Sequence, residues 1–327
     1  MPTRSLIVLP DDSPREILDA IGRAQQSLRV KMFVFSDPDL LEAVIAAKRR
    51  GLAVRVMLNP ARRDGRDDNV AARAALLAAG VNVQDANPRF DLTHEKSMVV
   101  DDTVAFVKSL NWETKNLTET RDYAIVTDHP REVAEIGACF EADWHRQDFT
   151  PGADAGLVWC PDNGRARIGD FIDNAHKTLF VQNERYQDAL VIERLVRAAE
   201  RGVKVHVMAR APHTLKADKL IEGVGGLRIL DDVGVKIHKL KHLKLHGKMF
   251  LADGVAGVVG SINLAPGSFD GRRELAIEVR DDAVVERLHD VARADWANSH
   301  PLDLSDAGLL ADLKDRQDVV EGLLPSS

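Results

Sequence analysis

Residues 244–275 read KLHGKMFLADGVAGVVGSINLAPGSFDGRREL, and residues 94–125 read HEKSMVVDDTVAFVKSLNWETKNLTETRDYAI. Set one above the other, the two stretches say the same thing twice. His94 and His246, Lys96 and Lys248, Asp101 and Asp253, Ser109 and Ser261, Asn111 and Asn263, Arg121 and Arg273, and Trp144 and Trp296 are each 152 positions apart. Upstream, RRGLAVRVMLNP (49–60) answers ERGVKVHVMARAP (200–212), with the glycines 151 apart. An offset held this steadily marks an internal duplication, which has to be found before single elements are assigned.

Each half reads as the same series of elements. An amphipathic helix (about 13–26 and 164–176) leads into a short apolar strand (LRVKMFVF, TLFVQN), then a helix ending at RRG or ERG, then a strand (AVRVML, KVHVMA). Strands alternating with helices of this length predict a mixed or mainly parallel sheet covered on both faces, an α/β fold. The histidine-bearing segment then takes on hairpin character, with Asp101-Asp102 and Asp253-Gly254 as turn dipeptides. A closing helix follows at about 130–146 and 281–297. Pro and Gly gather in DFTPGADAG (148–156), which sets expected domains at 1–150 and 151–300 and leaves a polar tail, 301–327, read as a surface helix and a loose end.

Composition bounds the function. A chain of 327 residues, 45% hydrophobic and 29% charged, can bury one large core or two ordinary ones. No run approaches the roughly 18 apolar residues of a membrane span, and MPTRSLIVLPDDSPRE lacks a signal peptide's apolar core, so the cytoplasm is the expected compartment. Cys139 and Cys160, without CxxC spacing, read as reduced, buried thiols. The net charge of −7 and the 5% aromatic content argue against a protein that coats nucleic acid or stacks its bases. One local exception is VKIHKLKHLKLHGK (235–248), with five Lys and three His, which is either a solvated strand or an anion-attracting segment beside the site.

Strand geometry sorts the repeated residues into roles. Positions two apart share a face, so His94 with Lys96, and His246 with Lys248, can meet one ligand. Asp101 and Asp253 lie at odd spacing from their histidines and are expected to support the fold through turn capping or a buried ion pair. Ser109 with Asn111, and Ser261 with Asn263, add hydroxyl and amide donors suited to a phosphoryl group. Two imidazoles in one cavity permit acid–base chemistry that needs neither metal nor cofactor: one attacks phosphorus while the other protonates the leaving oxygen. Asp122 and Glu274 are candidates to hold each ring by its second nitrogen; the competing reading pairs them with Arg121 and Arg273.

HEKSMVVD with KSLN, and HGKMFLAD with GSIN, resemble the paired signatures of the phospholipase D superfamily, and the resemblance covers nearly the whole chain. It implies two similar α-β-α sandwich domains about a pseudo-twofold axis, one active site between them, and a covalent phosphohistidine intermediate. His94 would be the nucleophile and His246 the general acid. QNERY (182–186) resembles a site-lining segment of phospholipid-active members, which would place Glu184 near the cavity. The family's Gly-Ser-x-Asn keeps Gly260 in the second half, whereas the first half has Lys108, a departure that puts the Ser109 and Asn111 contacts in question. Related members act on phospholipids, join phosphatidylglycerols or cut nucleic acid. The charge and aromatic balance favours phospholipid over nuclease, with a non-catalytic phosphate-binding scaffold as a third reading, and a peripheral enzyme could dock on a membrane beside residues 236–248.

Overall fold

The computed structural model describes residues 3–61, 65–153, 156–210, 217–309 and residue 311. Two mixed sheets form, one for each half. In spatial order the first holds Arg4–Leu9, Thr120–Thr127, Val104–Lys108, Ser97–Val100, Ser27–Met32, Ala53–Leu58 and Asn82–Asp85. Ser27–Met32, Ala53–Leu58 and Asn82–Asp85 run parallel because the helices Pro38–Arg49 and Val70–Ala78 cross over between them, while the other neighbours pair antiparallel, Ser97–Val100 with Val104–Lys108 through a tight hairpin. The second sheet repeats this order with Leu157–Cys160, Arg272–Val279, Ala256–Gly260, Lys248–Ala252, Thr178–Asn183, Lys204–Ala209 and Lys236–Leu240.

Several strands go beyond the sequence reading, Asn82–Asp85 among them. Arg4–Leu9 and Leu157–Cys160 are short apolar runs whose periodicity does not distinguish strand from helix. Ser299–Pro301 adds an antiparallel edge to the second sheet, the one place where a strand tolerates proline. The tail is therefore not a loose appendage at its start: Leu302 and Leu304 are buried in the core of the second half. The remainder of the expected tail, from 312 onward, lies outside the described residues.

Each sheet uses one face for its own helices and turns the other toward its twin. Alternation along Thr120–Thr127 sends Ala124 to the first half's own core and Tyr123 and Ile125 to the shared one. There they meet Met249, Leu251, Val259, Leu275 and Ile277 of the second sheet, closed in by the helices Pro130–Trp144 and Asp282–Ala297. A single core thus joins the two halves.

The turn dipeptides adopt the left-handed conformation that two-residue hairpins require: φ is 52° and 55° at Asp101 and Asp102, and 55° and 67° at Asp253 and Gly254. The Asp101 carboxylate accepts from the backbone N–H groups of Gln25, Gln26 and Ser27 at 2.7, 2.7 and 2.8 Å. Asp253 repeats this with His176, Lys177 and Thr178 at 2.9, 2.7 and 2.8 Å. Of the two roles left open by the sequence, the structure thus places both aspartates in turn capping, tying each hairpin to the start of the neighbouring strand. Burial alone would raise these carboxyls, but the three backbone donors outweigh it and hold both below the usual carboxylate range. A depressed folded pKa gives stability that is present near neutral pH and lost as pH falls through that value. Asp253→Ala is expected to lower the unfolding free energy by about 1–2 kcal/mol in urea titrations, with turnover below the melting transition unchanged. Lost turnover in a fully folded variant would contradict a structural role.

Candidate active site

The segments that precede the two histidines change partners. Leu92–Thr93 leaves its own half and pairs in parallel with Arg272–Arg273, and Lys244–Leu245 pairs in the same way with Thr120–Arg121. His94 N and Glu95 N both donate to Arg273 O at 2.9 Å, while His246 N and Gly247 N donate to Arg121 O at 3.3 and 2.7 Å. Each histidine is therefore anchored on the last strand of the opposite half. The next residue on that strand is an acid. Glu274 Oε2 lies 2.8 Å from His94 Nδ1, and Asp122 Oδ1 and Oδ2 lie 2.8 and 3.0 Å from His246 Nδ1. Strand alternation sends Arg121 and Arg273 to the other face. There Arg121 pairs with Asp295 and Asp11 at 2.8 and 2.9 Å, and Arg273 with Asp143 and Asp162 at 3.2 and 2.9 Å, so the competing Asp122–Arg121 and Glu274–Arg273 pairings do not form.

Burial, reinforced by the charges of Lys96, Lys248, Arg272 and His246, holds the His94 imidazole well below its ordinary pKa. Those charges come from both halves, which puts the two motifs within electrostatic reach of each other. A neutral His94 that donates Nδ1–H to Glu274 leaves the lone pair of Nε2 facing outward. Lys96 Nζ donates to His94 O at 2.6 Å, and Lys248 Nζ donates to His246 O. Burial pulls Lys96 down to about 7, with Lys248 adding to the shift and Glu274, Asp122 and Glu184 opposing it. The two supporting carboxyls differ. Both are raised by burial, but in Asp122 the His246 and Lys248 charges and the Ser109 hydroxyl reverse the sign, whereas Glu274 stays above its usual range.

The serines do not stand where a phosphoryl group would meet them. Ser109 is fully buried; its hydroxyl donates to Asp122 Oδ1 at 2.5 Å and accepts from Tyr123 N at 2.8 Å, leaving no hydrogen to donate to a phosphoryl oxygen. The Ser261 hydroxyl accepts from Leu275 N at 3.1 Å and lies against Glu274. Ser109 thus orients the carboxylate that holds His246, while Ser261, donating to Leu275 O at 3.2 Å, packs beside the one that holds His94; each serine is hydrogen-bonded to the strand, Thr120–Thr127 or Arg272–Val279, that runs alongside it in the same sheet. Thr120, donating to Asp122 Oδ2 at 2.6 Å, and Asn116 and Ser268 support the same two acids. Asn111 and Asn263 remain at the site with amide oxygens that are buried and lack a hydrogen-bond partner. Lys108 keeps the strand regular, opposite Ala124, and its side chain runs over the Trp112 ring at 5.1 Å. Burial and the Lys96 charge, opposed by Glu95, bring it down to about 7. In the second half a Cβ at Gly260 would collide with the Ala276 backbone, so glycine is required there and not at 108.

Glu184 lies at the site as expected, and it breaks the symmetry. Its Oε2 is 2.9 Å from Lys248 Nζ and 4.0 Å from His246 Nε2, and its Oε1 accepts from Arg210 at 2.8 Å. The equivalent residue, 151 positions earlier, is Phe33, packed edge-on against His94 at 4.8 Å, with Lys96 Nζ 5.2 Å from its ring. Phe33, Arg210 and Arg272 escape motif reading; for Phe33 the repeat offset from Glu184 is the signal that finds it. Beneath the site, Glu95, Cys139 and Asp143 bring ligand-type atoms within 4.8 Å of one another, but Lys31 Nζ sits among them at 2.8, 3.5 and 2.7 Å and supplies the positive charge. A groove of about 810 Å³ beside the helix Asp282–Ala297, lined in part by Phe180, His206, Leu251 and Trp296, contains none of the repeated polar residues of the two histidine motifs except Asp253. Charge and geometry, rather than cavity size, mark the site.

A duplicated α/β fold that brings one histidine and one lysine from each half to a shared site, cross-linked by the His94–Glu274 and His246–Asp122 contacts, is the arrangement of a two-motif phosphodiester-processing protein. The family described as "Cardiolipin synthase, PLD-like domain" matches residues 17–144 and again 168–296, and the chain belongs to it, within the phospholipase D superfamily. Cardiolipin synthase B of Salmonella typhi is 26% identical over 323 residues, an alignment covering 84% of this chain and 75% of that protein. Among solved structures, phosphatidylserine synthase of Haemophilus influenzae superposes with a TM-score of 0.74 at 12% identity, covering 98% of this chain and 92% of that one. Polyphosphate kinase of Porphyromonas gingivalis gives 0.72 at 14% identity over 98% of this chain, which spans about half (53%) of the kinase. At such identities the superpositions establish the fold alone.

The depressed pKa of His94 has a direct spectroscopic consequence. Nitrogen-15 spectra of the ring should show Nδ1 protonated and Nε2 bare as pH falls past 6.5, the ordinary histidine value. A doubly protonated His94 ring at pH 6.5 would contradict the electrostatics described.

Proposed function

We propose that this chain is a phosphatidyl transferase or hydrolase acting on phospholipids through a phosphohistidine on His94. The crosswise His94–Glu274 and His246–Asp122 pairs carry the reading, since they present two outward Nε2 atoms in different environments. His94 Nε2 forms a bond to phosphorus as the bond to the leaving oxygen breaks, and His246 gives its Nε2 proton to that oxygen. A positive charge on His246 has two carboxylates to meet, Asp122 at Nδ1 and Glu184 beyond Nε2. Lys96 and Lys248 serve the non-bridging oxygens, where charge accumulates in the transition state, and from Asn111 and Asn263 only the Nδ2 hydrogens, not the amide oxygens, can add donors there. Asp101 and Asp253 remain structural, and the serines position the acids.

The lipid reading draws on the cardiolipin synthase family match together with the acidic, aromatic-poor composition. No helix among the described residues is long and apolar enough to cross a membrane, and the proposed access to lipid is peripheral, through the basic segment beside the site. Residues 236–245 suit that role: Lys241, His242 and Lys244 are exposed, Leu240 and Leu243 are half-buried, and the chain runs from them straight into His246.

One series tests both substrate and mechanism. Wild-type protein in EDTA is offered phosphatidylglycerol vesicles, single-stranded DNA and bis(p-nitrophenyl) phosphate. Headgroup release or exchange is expected; DNA cleavage with inert vesicles would overturn the lipid reading, and inertness toward all three would leave a scaffold. His94→Ala and His246→Ala should each reduce lipid turnover by about 10³-fold. With the aryl diester, whose leaving group needs little protonation, His246→Ala should still accumulate an acid-labile phosphoenzyme and His94→Ala none. The reverse pattern would exchange the two roles.

A further inference from the structure

Glu184 is fixed more firmly than a side chain that merely lines a cavity. The strand Thr178–Asn183 ends beside it, where Asn183 Nδ2 donates to Ile262 O at 3.0 Å and Asn183 Oδ1 accepts from Arg185 N and Leu264 N at 3.1 and 3.3 Å. Two residues on, the Tyr186 hydroxyl lies 2.9 Å from Met208 O. Lys248 and Arg210 then hold the two carboxylate oxygens separately. The result is an anion 4.0 Å from His246 Nε2, too far for a direct hydrogen bond. The first half has only the Phe33 ring at the equivalent place.

We propose that Glu184 determines acceptor specificity: it accepts a hydrogen bond from a second hydroxyl next to the attacking one, so that the preferred acceptor is a vicinal diol of the kind a glycerol headgroup carries. The inference rests on the phosphohistidine reading above. In the second half-reaction the acceptor oxygen forms its bond to phosphorus as the His94 Nε2–P bond breaks and its electron pair returns to the ring. The acceptor's proton passes to His246 Nε2. That hydroxyl has one hydrogen and has given it up, so it cannot also serve Glu184. When Lys248 turns toward a phosphoryl oxygen, Glu184 Oε2 is left facing the acceptor, and a neighbouring hydroxyl bridges the gap with both hydrogen bonds near roughly 2.8 Å. A monohydric alcohol presents a methylene to the carboxylate instead, and a site built to receive a hydroxyl discriminates against the analogue without one. Water, with two hydrogens, meets the same geometry and is the competing acceptor.

The test is a partition within a single reaction. Equimolar glycerol and 1-propanol are offered with bis(p-nitrophenyl) phosphate as donor, and in parallel with phosphatidylglycerol vesicles, and the phosphodiester products are counted by mass spectrometry. Wild type should favour the glycerol product by about tenfold or more, the size of one hydrogen bond to a charged group. Glu184→Leu should bring the ratio near unity, and Glu184→Gln, which retains an acceptor oxygen, should fall between. A ratio unmoved by Glu184→Leu, or hydrolysis with no glycerol product, overturns the proposal. If the leucine variant turns over too slowly to read, an unchanged ratio in Glu184→Gln serves the same purpose. A residue that only balances the Lys248 charge would alter KM for the donor and leave the ratio alone. Glycerol preference with the aryl donor alongside inert vesicles would sink the phospholipid donor and leave the acceptor inference standing.

Discussion

Everything in this molecule depends on a strand exchange only two residues long. Leu92–Thr93 and Lys244–Leu245 are each hydrogen-bonded to the other half, and the residue that follows them is the histidine. Neither half contains a complete site: each brings an imidazole without its acid and an acid without its imidazole. The duplication therefore acts like a closed dimer whose protomers are joined in one chain, in which a self-complementary contact has to form twice. The shared apolar core around Tyr123, Ile125, Leu275 and Ile277 supplies the adhesion, and the exchanged segments convert it into catalytic geometry.

Below the site, the same structural problem is solved with different residues in each half. Where the first half has Lys31 between Glu95 and Asp143, the second has Gln182, which donates to Asp295 at 2.7 Å and accepts from the Tyr123 hydroxyl at 2.5 Å. Tyr123 occupies the space that would otherwise hold a side chain at 247, where a Cβ would approach its ring to 2.7 Å. Opposite, the smaller Leu275 leaves room for Glu95. Burial would lower the Lys31 ammonium, yet Asp143, Cys139 and Glu95 together hold it above its ordinary value. Such a buried cluster costs much desolvation and contributes little net stability. Its effect is to fix Arg273 and Asp143, and through them the strand that carries Glu274.

The sequence made the repeat, the α/β class, the paired histidines and lysines and the fold-supporting role of the aspartates legible, because an offset of 152 converts weak motifs into strong ones and because strand parity separates faces. Parity is local, however, and says nothing of which half a strand borders. That Asp122 serves His246 rather than its own neighbour His94 follows from the exchanged pairing, which leaves no periodic trace in two residues. For the same reason Ser109 and Ser261 read as phosphate donors: their spacing from the asparagines is visible, but their hydrogen bonds to the neighbouring strand are not. Arg4–Leu9 and Ser299–Pro301 were hidden differently, one as an apolar run of ambiguous period, the other as a polar segment whose only partner is a sheet edge.

The departure at position 108 brings these threads together. In the second half, Gly260 stands opposite Lys248 across the hairpin, and the close approach of Ala276 forbids any side chain. In the first half the corresponding approach is relaxed, and a second lysine fills the space next to Lys96 with no hydrogen-bond partner for its nitrogen. The half-sites consequently differ in charge on both sides. Around His94, with Glu274 at Nδ1, burial and the charges of Lys96, Lys248 and Arg272 disfavour the imidazolium and the apolar Phe33 packs edge-on; beside His246, with Lys248 on its carbonyl, stand the carboxylates of Asp122 and Glu184. A duplicated pair of identical motifs could not choose which ring attacks and which donates a proton. Divergence at Phe33 and Glu184, around a strand exchange that has stayed symmetric, is what the proposed division of tasks between the two histidines rests on.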